Sequence, residues 1–307
     1  MDGITTFFEE WFKKLILGLY NGVVDTLDSW LIIYNDASNG AITKAYNLIA
    51  LGKDANGFHE ANKYIKIISD NVFIPFAAIT ISFFFCWQLI NLMQENNRLN
   101  TITPETMLFV LIKLCICPLV VSKSWDIVQG FFSISDWASS KVYFVFSSSD
   151  LSSLSITAAD LGLGPADETT EIGVLVKGIF SGILAFVLLE ISSVAVYALG
   201  FYIRIKVYMW IFEFLMFAAG SPIPFSTFIN KEWGQMGNNY LRKMLALSFT
   251  GVFMLLAVTI ASVIGNGLIA DSAGSIMGIL AGVLSLGLSA MMIGKCNSVA
   301  DSIFNAH

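Results

Sequence analysis

Residues 172–225 read IGVLVKGIFSGILAFVLLEISSVAVYALGFYIRIKVYMWIFEFLMFAAGSPIPF, with only Lys177, Glu190, Arg204, Lys206 and Glu213 charged. A helix needs about 20 apolar residues to cross about 30 Å of hydrocarbon. This run is more than twice as long, so it must break or turn back. Gly220-Ser221-Pro222-Ile223-Pro224 supplies the break, because two prolines two positions apart cannot continue a helix. Lipid offers the backbone no hydrogen-bond partner, which leaves helices or a closed barrel as crossing structures. A continuously apolar run lacks the alternation of barrel strands. The reading is an all-α, polytopic integral membrane protein.

Working outward, the whole chain of 307 residues is 56% hydrophobic and only 13% charged, with a mean hydropathy of +0.72. No stretch has the composition of a soluble domain. Further spans are predicted over 71–93, from Pro104 to about Val121, over 244–268 and over 274–293, giving about five to six transmembrane helices. Residues 4–34 are amphipathic: Phe8, Trp11, Phe12, Leu15 and Leu19 recur at helical spacing, while Glu9, Glu10, Lys13, Lys14, Asp25 and Asp28 collect elsewhere. Charge interrupts this helix too often for a span, so it is expected to lie in the membrane interface or on a neighbouring subunit. Asn-Gly at 39–40 and at 56–57 reads as turns in a polar segment. The resulting division is an N-terminal helix and external polar segment over 1–66, a transmembrane domain over 67–295 with an external loop at 123–171, and a short tail over 296–307. The acidic, weakly basic start differs from a cleavable signal and is expected to persist.

Basic residues orient the spans. With Arg98, Arg204, Lys206, Lys231, Arg242, Lys243 and Lys295 cytoplasmic, the acidic loop 147–171 falls outside the cell membrane. The N-terminus is then outside and the C-terminus cytoplasmic. This arrangement has five crossings, with 205–225 dipping in and returning; a full crossing by 207–225 would make six.

Charges within apolar runs are functional candidates by default. Lys113 and Glu190 each lie about 13 Å from the same membrane face and are expected to pair. Glu213 is expected to meet Lys206 or Arg204. Gly274, Gly278 and Gly282 repeat every fourth residue, a small-residue ridge suited to helix packing or self-association. Cys86, Cys115, Cys117 and Cys296 read as reduced structural thiols, and His59 and His307 are remote from them in sequence. No cofactor or metal is expected. There is no phosphate-binding loop, nucleophile elbow, HExxH or dinucleotide fingerprint, which argues against an enzyme. Clustered Lys and Arg interleaved with aromatics, the mark of a nucleic-acid surface, are also missing.

Tyr202-x-Arg204 through Trp210, then Phe217-Ala-Ala-Gly-Ser-Pro-Ile-Pro-Phe225, then Trp233 and Tyr240-Leu-Arg-Lys243 before a long apolar run, resembles the TrbL-type inner-membrane component of type IV secretion and conjugation systems. The similarity covers about residues 172–295, and the compact length resembles the form in Gram-positive conjugative elements. The resemblance implies an oligomeric membrane channel or scaffold that helps DNA or protein across the cytoplasmic membrane. Its implied partners are membrane lipid, further copies of itself, other secretion-system membrane subunits and cytoplasmic ATPases. Two other classes stay open. A small-solute or ion transporter would be expected to show an inverted repeat or several intramembrane carboxylates, and an assembly factor would lack a pore of its own.

Overall fold

The structure, a computed structural model, describes residues 2–50, 56–95, 104–147, 155–230, 233–271 and 277–306. It is helical throughout: α1 (Asp2–Ala50), α2 (Asn56–Ile68), a π-helical turn (Ser69–Phe73), α3 (Ile74–Glu95), α4 (Pro104–Ser122), α5 (Ser124–Ser147), α6 (Ile172–Gly220), α7 (Pro222–Ser226), α8 (Gly234–Asp271) and α9 (Met277–Phe304). No strand occurs among the described residues. Five stretches are long and apolar enough to cross a membrane: Phe7–Ile49, Glu60–Asn91, Ile172–Ile229, Gly234–Asp271 and Met277–Phe304. Leu108–Ser122 and Ser124–Val145, bent by 61° at their junction, make a sixth if taken together. The chain is a polytopic α-helical membrane protein.

Three expectations change. The 49 residues of α1 run straight through Asn39-Gly40, where a turn was expected. Glycine costs a helix interior about 1 kcal/mol; burial of Ser38, Ala41, Ile42, Ala45 and Ile49 on one side of α1 outweighs it. The charges that argued against a span sit mostly in the first turns, leaving Phe7–Ile49 apolar enough to cross. Next, α6 does not dip and return over 205–225. It continues without interruption to Gly220, about 74 Å in all, because Arg and Lys are good helix formers and the break waits for the prolines. Finally, residues 296–304 are the last turns of α9 rather than a tail.

The chain forms two compact units. The first comprises Met1–Tyr46, Tyr143–Ile205 and Leu256–Gly294. In it α1 and the start of α6 run parallel, since successive contacts rise together in number: Tyr20 against Gly178, Val23 against Gly182 and Ala41 against Gly200. A Cβ at these glycines would stand 2.3, 2.4 and 2.9 Å from the facing side chain, so only glycine permits this approach. Leu27, Leu31, Leu175 and Leu189 fill the interior. The end of α9 nearest α1 is fixed by Tyr34, whose hydroxyl donates to the Ile279 carbonyl at 2.9 Å. Ser285 on α9 donates to Ala261 on α8, also at 2.9 Å.

The second unit comprises Asn47–Val142, Lys206–Leu255 and Lys295–His307. Its centre is aromatic: Phe132 of α5 packs on Phe214 and Trp210 of α6, with ring centroids 4.7 and 6.1 Å away. Trp210 Nε1 donates to the Leu247 carbonyl at 2.7 Å, and a Cβ added at Gly251 would stand 2.7 Å from the same indole. Ser135 of α5 donates to the Ser248 carbonyl of α8.

Candidate functional site

Two stretches of irregular backbone stand out in a fold otherwise made of helices, and side chains from other elements hold each of them. One is the break after α6 in the second unit. The last carbonyls of a helix have no partner within it. Here the Phe217 carbonyl accepts from the Tyr240 hydroxyl of α8 at 2.8 Å, the Ala218 carbonyl from the Ser221 amide at 3.2 Å, and the Ala219 carbonyl from Ser69 Oγ at 2.9 Å. Ser69 opens the π-helical turn before α3 and is buried. Pro222 occupies the first position of α7, where its missing N–H costs least, and Pro224 sits two residues further in. Phe225 is buried and meets both Phe228 and Tyr240 at 5.7 Å. Cys117 of α4 lies 3.7 Å from the carbonyls of Phe225 and Ser226. Gly237 closes the elbow: a Cβ there would be 2.8 Å from the Phe228 ring and 2.9 Å from the Pro224 carbonyl.

Beside the break, α6, α8 and α9 share polar contacts. Glu213 accepts from Asn297 Nδ2 at 3.4 Å, and Asn297 Oδ1 lies 3.5 Å from the Thr250 hydroxyl. Lys243 Nζ reaches both carboxylate oxygens of Asp301, at 2.8 and 2.6 Å, with the two side chains only 25% and 22% exposed. Asn297 and Asp301 stand four apart on the part of α9 that sequence reading assigned to the tail. That spacing on a helical continuation was the available signal for them.

The other irregular stretch is a strap, residues 155–164, laid along α1 in the first unit. Asn35 grips Ile156 through two bonds, Nδ2 to the carbonyl at 2.8 Å and the amide to Oδ1 at 3.2 Å. The Ala158 amide donates to Asp28 at 3.0 Å, and the Tyr20 hydroxyl donates to the Gly164 carbonyl at 2.8 Å. The strap thus descends α1 from residue 35 to residue 20. Ile156, Ala158, Leu161 and Leu163 point inward and are buried, and Gly162 turns the chain at a φ of 76°, a left-handed value that glycine adopts freely. Asp160 caps its own turn by accepting from the Thr157 amide and hydroxyl.

The remaining candidates fall as follows. Lys113 is exposed on α4 in the second unit, and Glu190 is half-buried on α6 in the first. Arg204 belongs to the first unit and Lys206 to the second. Gly274 lies outside the described residues. Gly282 backs onto Tyr34, whose hydroxyl would be 2.6 Å from an added Cβ, and Gly278 faces Leu161 of the strap. At these two positions the small-residue ridge packs against residues of the same chain. Phe8, Trp11, Phe12, Leu15 and Leu19 are all exposed. Among the described residues this arrangement fixes helices and irregular backbone.

Residues 45–222, more than half of the chain, match the family described as TrbL/VirB6 plasmid conjugal transfer like protein. No curated protein and no solved structure matches the chain.

Proposed function

The chain belongs to the TrbL/VirB6 plasmid conjugal transfer family, and we propose that it works as a homo-oligomeric subunit of the transfer machine in the cytoplasmic membrane, N-terminus outside and C-terminus inside, helping to form the passage for DNA or protein. Other membrane subunits and cytoplasmic ATPases of the system are its partners in this reading.

The observation that carries the proposal is the strap. Lipid does not tolerate irregular backbone that faces it, and Ser155, Thr157, Ala159 and Gly162 are exposed, as are Asp167 and Glu168 just beyond. The strap side of α1 from Tyr20 to Asn35 therefore lies in water or against protein. The same helix pair nevertheless bares Phe8 (61% exposed), Trp11 (55%) and Phe180 (72%), together with Ile183 and Leu184. An apolar stripe of this length projecting from the bilayer needs a covering protein surface. A second copy of the same pair supplies one.

Replacing Phe8, Trp11 and Leu15 together by Ser tests this. The expected result is a monomer in mild detergent, still inserted in the membrane, with plasmid transfer lost. Transfer at the wild-type level by a monomeric variant would overturn the oligomer. Solute flux through the lone wild-type monomer would favour a transporter instead.

A further inference from the structure

In the first unit, between α1 and α6 at the level of Asn35, lies a cavity of about 300 Å³ lined by Ile33, Asp36, Gly40, Lys44, Tyr197 and Arg204 among others. We propose that it seats the headgroup of a phospholipid, with the phosphodiester held by Arg204 and Lys44.

Charge is the first argument. The cavity carries two cations and one carboxylate, and no ion pair joins them among the described residues. Arg204 Nε is buried without a hydrogen-bond partner. Against Asp36 the two cations leave an excess of one positive charge; at membrane depth such an excess is costly, and a phosphodiester removes it. The planar guanidinium fork matches phosphate oxygens, while Lys adds a mobile point charge. Basic pockets between transmembrane helices are suited to anionic headgroups for this reason.

Direction is the second. Side chains on a helix lean toward its N-terminus, and α1 and α6 are parallel in this unit. Lys44 and Arg204 thus both lean toward the Ile33–Asp36 end of the cavity. Beside that end Asn35 holds the first turn of the strap, which marks the water boundary in the functional reading above; the depth of the site rests on that reading. Past Arg204, the exposed Ile205 offers an apolar wall for an acyl chain. Gly40 leaves the cavity open, since nothing lies within 4 Å of a Cβ added there.

The test uses the full chain, purified in mild detergent and stripped of lipid, with monomer and oligomer fractions measured separately. Phosphatidylglycerol, phosphatidylcholine and inorganic phosphate are the probes, read by native mass spectrometry and by the thermal-unfolding midpoint. Phosphatidylglycerol should bind at least tenfold more tightly than phosphatidylcholine in either fraction, so that failure of the oligomer proposal leaves this one standing. The pair Lys44→Gln and Arg204→Gln should abolish the preference. Gly40→Leu should abolish it too, by filling the cavity without shifting the lipid-free midpoint, whereas Asp36→Asn should strengthen it. Equal binding of the two lipids, or a preference that survives the double Gln variant, overturns the proposal. Complete displacement of the lipid by equimolar inorganic phosphate overturns it as well, in favour of a free-anion site.

Discussion

The strap of the first unit and the break of the second solve one problem in opposite ways. Both are irregular backbone in a membrane protein, and both need partners for the amides and carbonyls that no helix satisfies. The strap is held along one side by the polar groups of a single helix, Asn35, Asp28 and Tyr20, and leaves its other side open. The break is enclosed: Ser69 and Tyr240 reach it from two other elements, and Phe225, Phe228 and Gly237 close over it. An open strap can exchange protein bonds for water when it lifts. The enclosed break has no such exchange, so perturbing it costs more.

The sharpest way to break this comparison is at Gly237. Gly237→Leu drives a side chain into the Phe228 ring and the Pro224 carbonyl, and overpacking of this kind costs about 3 kcal/mol. The thermal-unfolding midpoint in detergent should fall by several degrees. An unchanged midpoint would mean that the elbow opens readily and is no more enclosed than the strap.

Next in size is Asp301→Ala. It strands Lys243 in a site where about a quarter of each side chain is exposed. Breaking a fully buried pair costs about 3–5 kcal/mol, and partial exposure reduces that here to about 2–3 kcal/mol. Lys243→Met combined with Asp301→Leu should recover most of the loss. If the double variant is no better than the single, the carboxylate has a role beyond neutralising Lys243.

The strap predicts a smaller loss with a local signature. Asn35→Ala removes both bonds to Ile156, about 2 kcal/mol at most, because water replaces them on the open side. The global midpoint should move little. Limited proteolysis from outside at 155–164 should accelerate about tenfold, and if cleavage requires cytoplasmic access the orientation is reversed.

What could be read from the sequence follows from how local each signal is. Hydropathy depends only on neighbours along the chain, so the polytopic helical class was legible. The 49-residue reach of α1 was not, because Asn39-Gly40 is a turn signal that only burial of Ala41, Ile42 and Ala45 overrides. The groups that hold the irregular backbone were hidden for a related reason. Ser69 and Ala219 are 150 positions apart, Asn35 and Ile156 are 121 apart, and a lone Ser or Asn on a helix carries no mark of the carbonyl it will meet. The glycine ridge illustrates the converse: its spacing is visible in the sequence, but only the fold shows that Tyr34 is what packs on Gly282.

The smallest expected effect is also the most diagnostic. Ser69→Ala deletes a single hydroxyl, buried in a π-helical turn and bonded to the Ala219 carbonyl near the end of α6. If the break is as dry as its aromatic surroundings suggest, that carbonyl loses its side-chain partner and no water replaces it. The cost should be about 1–2 kcal/mol, because a buried acceptor left unmet carries its full desolvation penalty. Ser69→Thr keeps the hydroxyl and should recover most of it, provided the added methyl fits the turn. Ser69→Gly removes the hydroxyl and makes room for a water, so it should lie closer to wild type than its poor helix propensity alone would allow. Should Ser69→Ala instead prove neutral, water already reaches the elbow, and break and strap differ in their partners but not in their hydration.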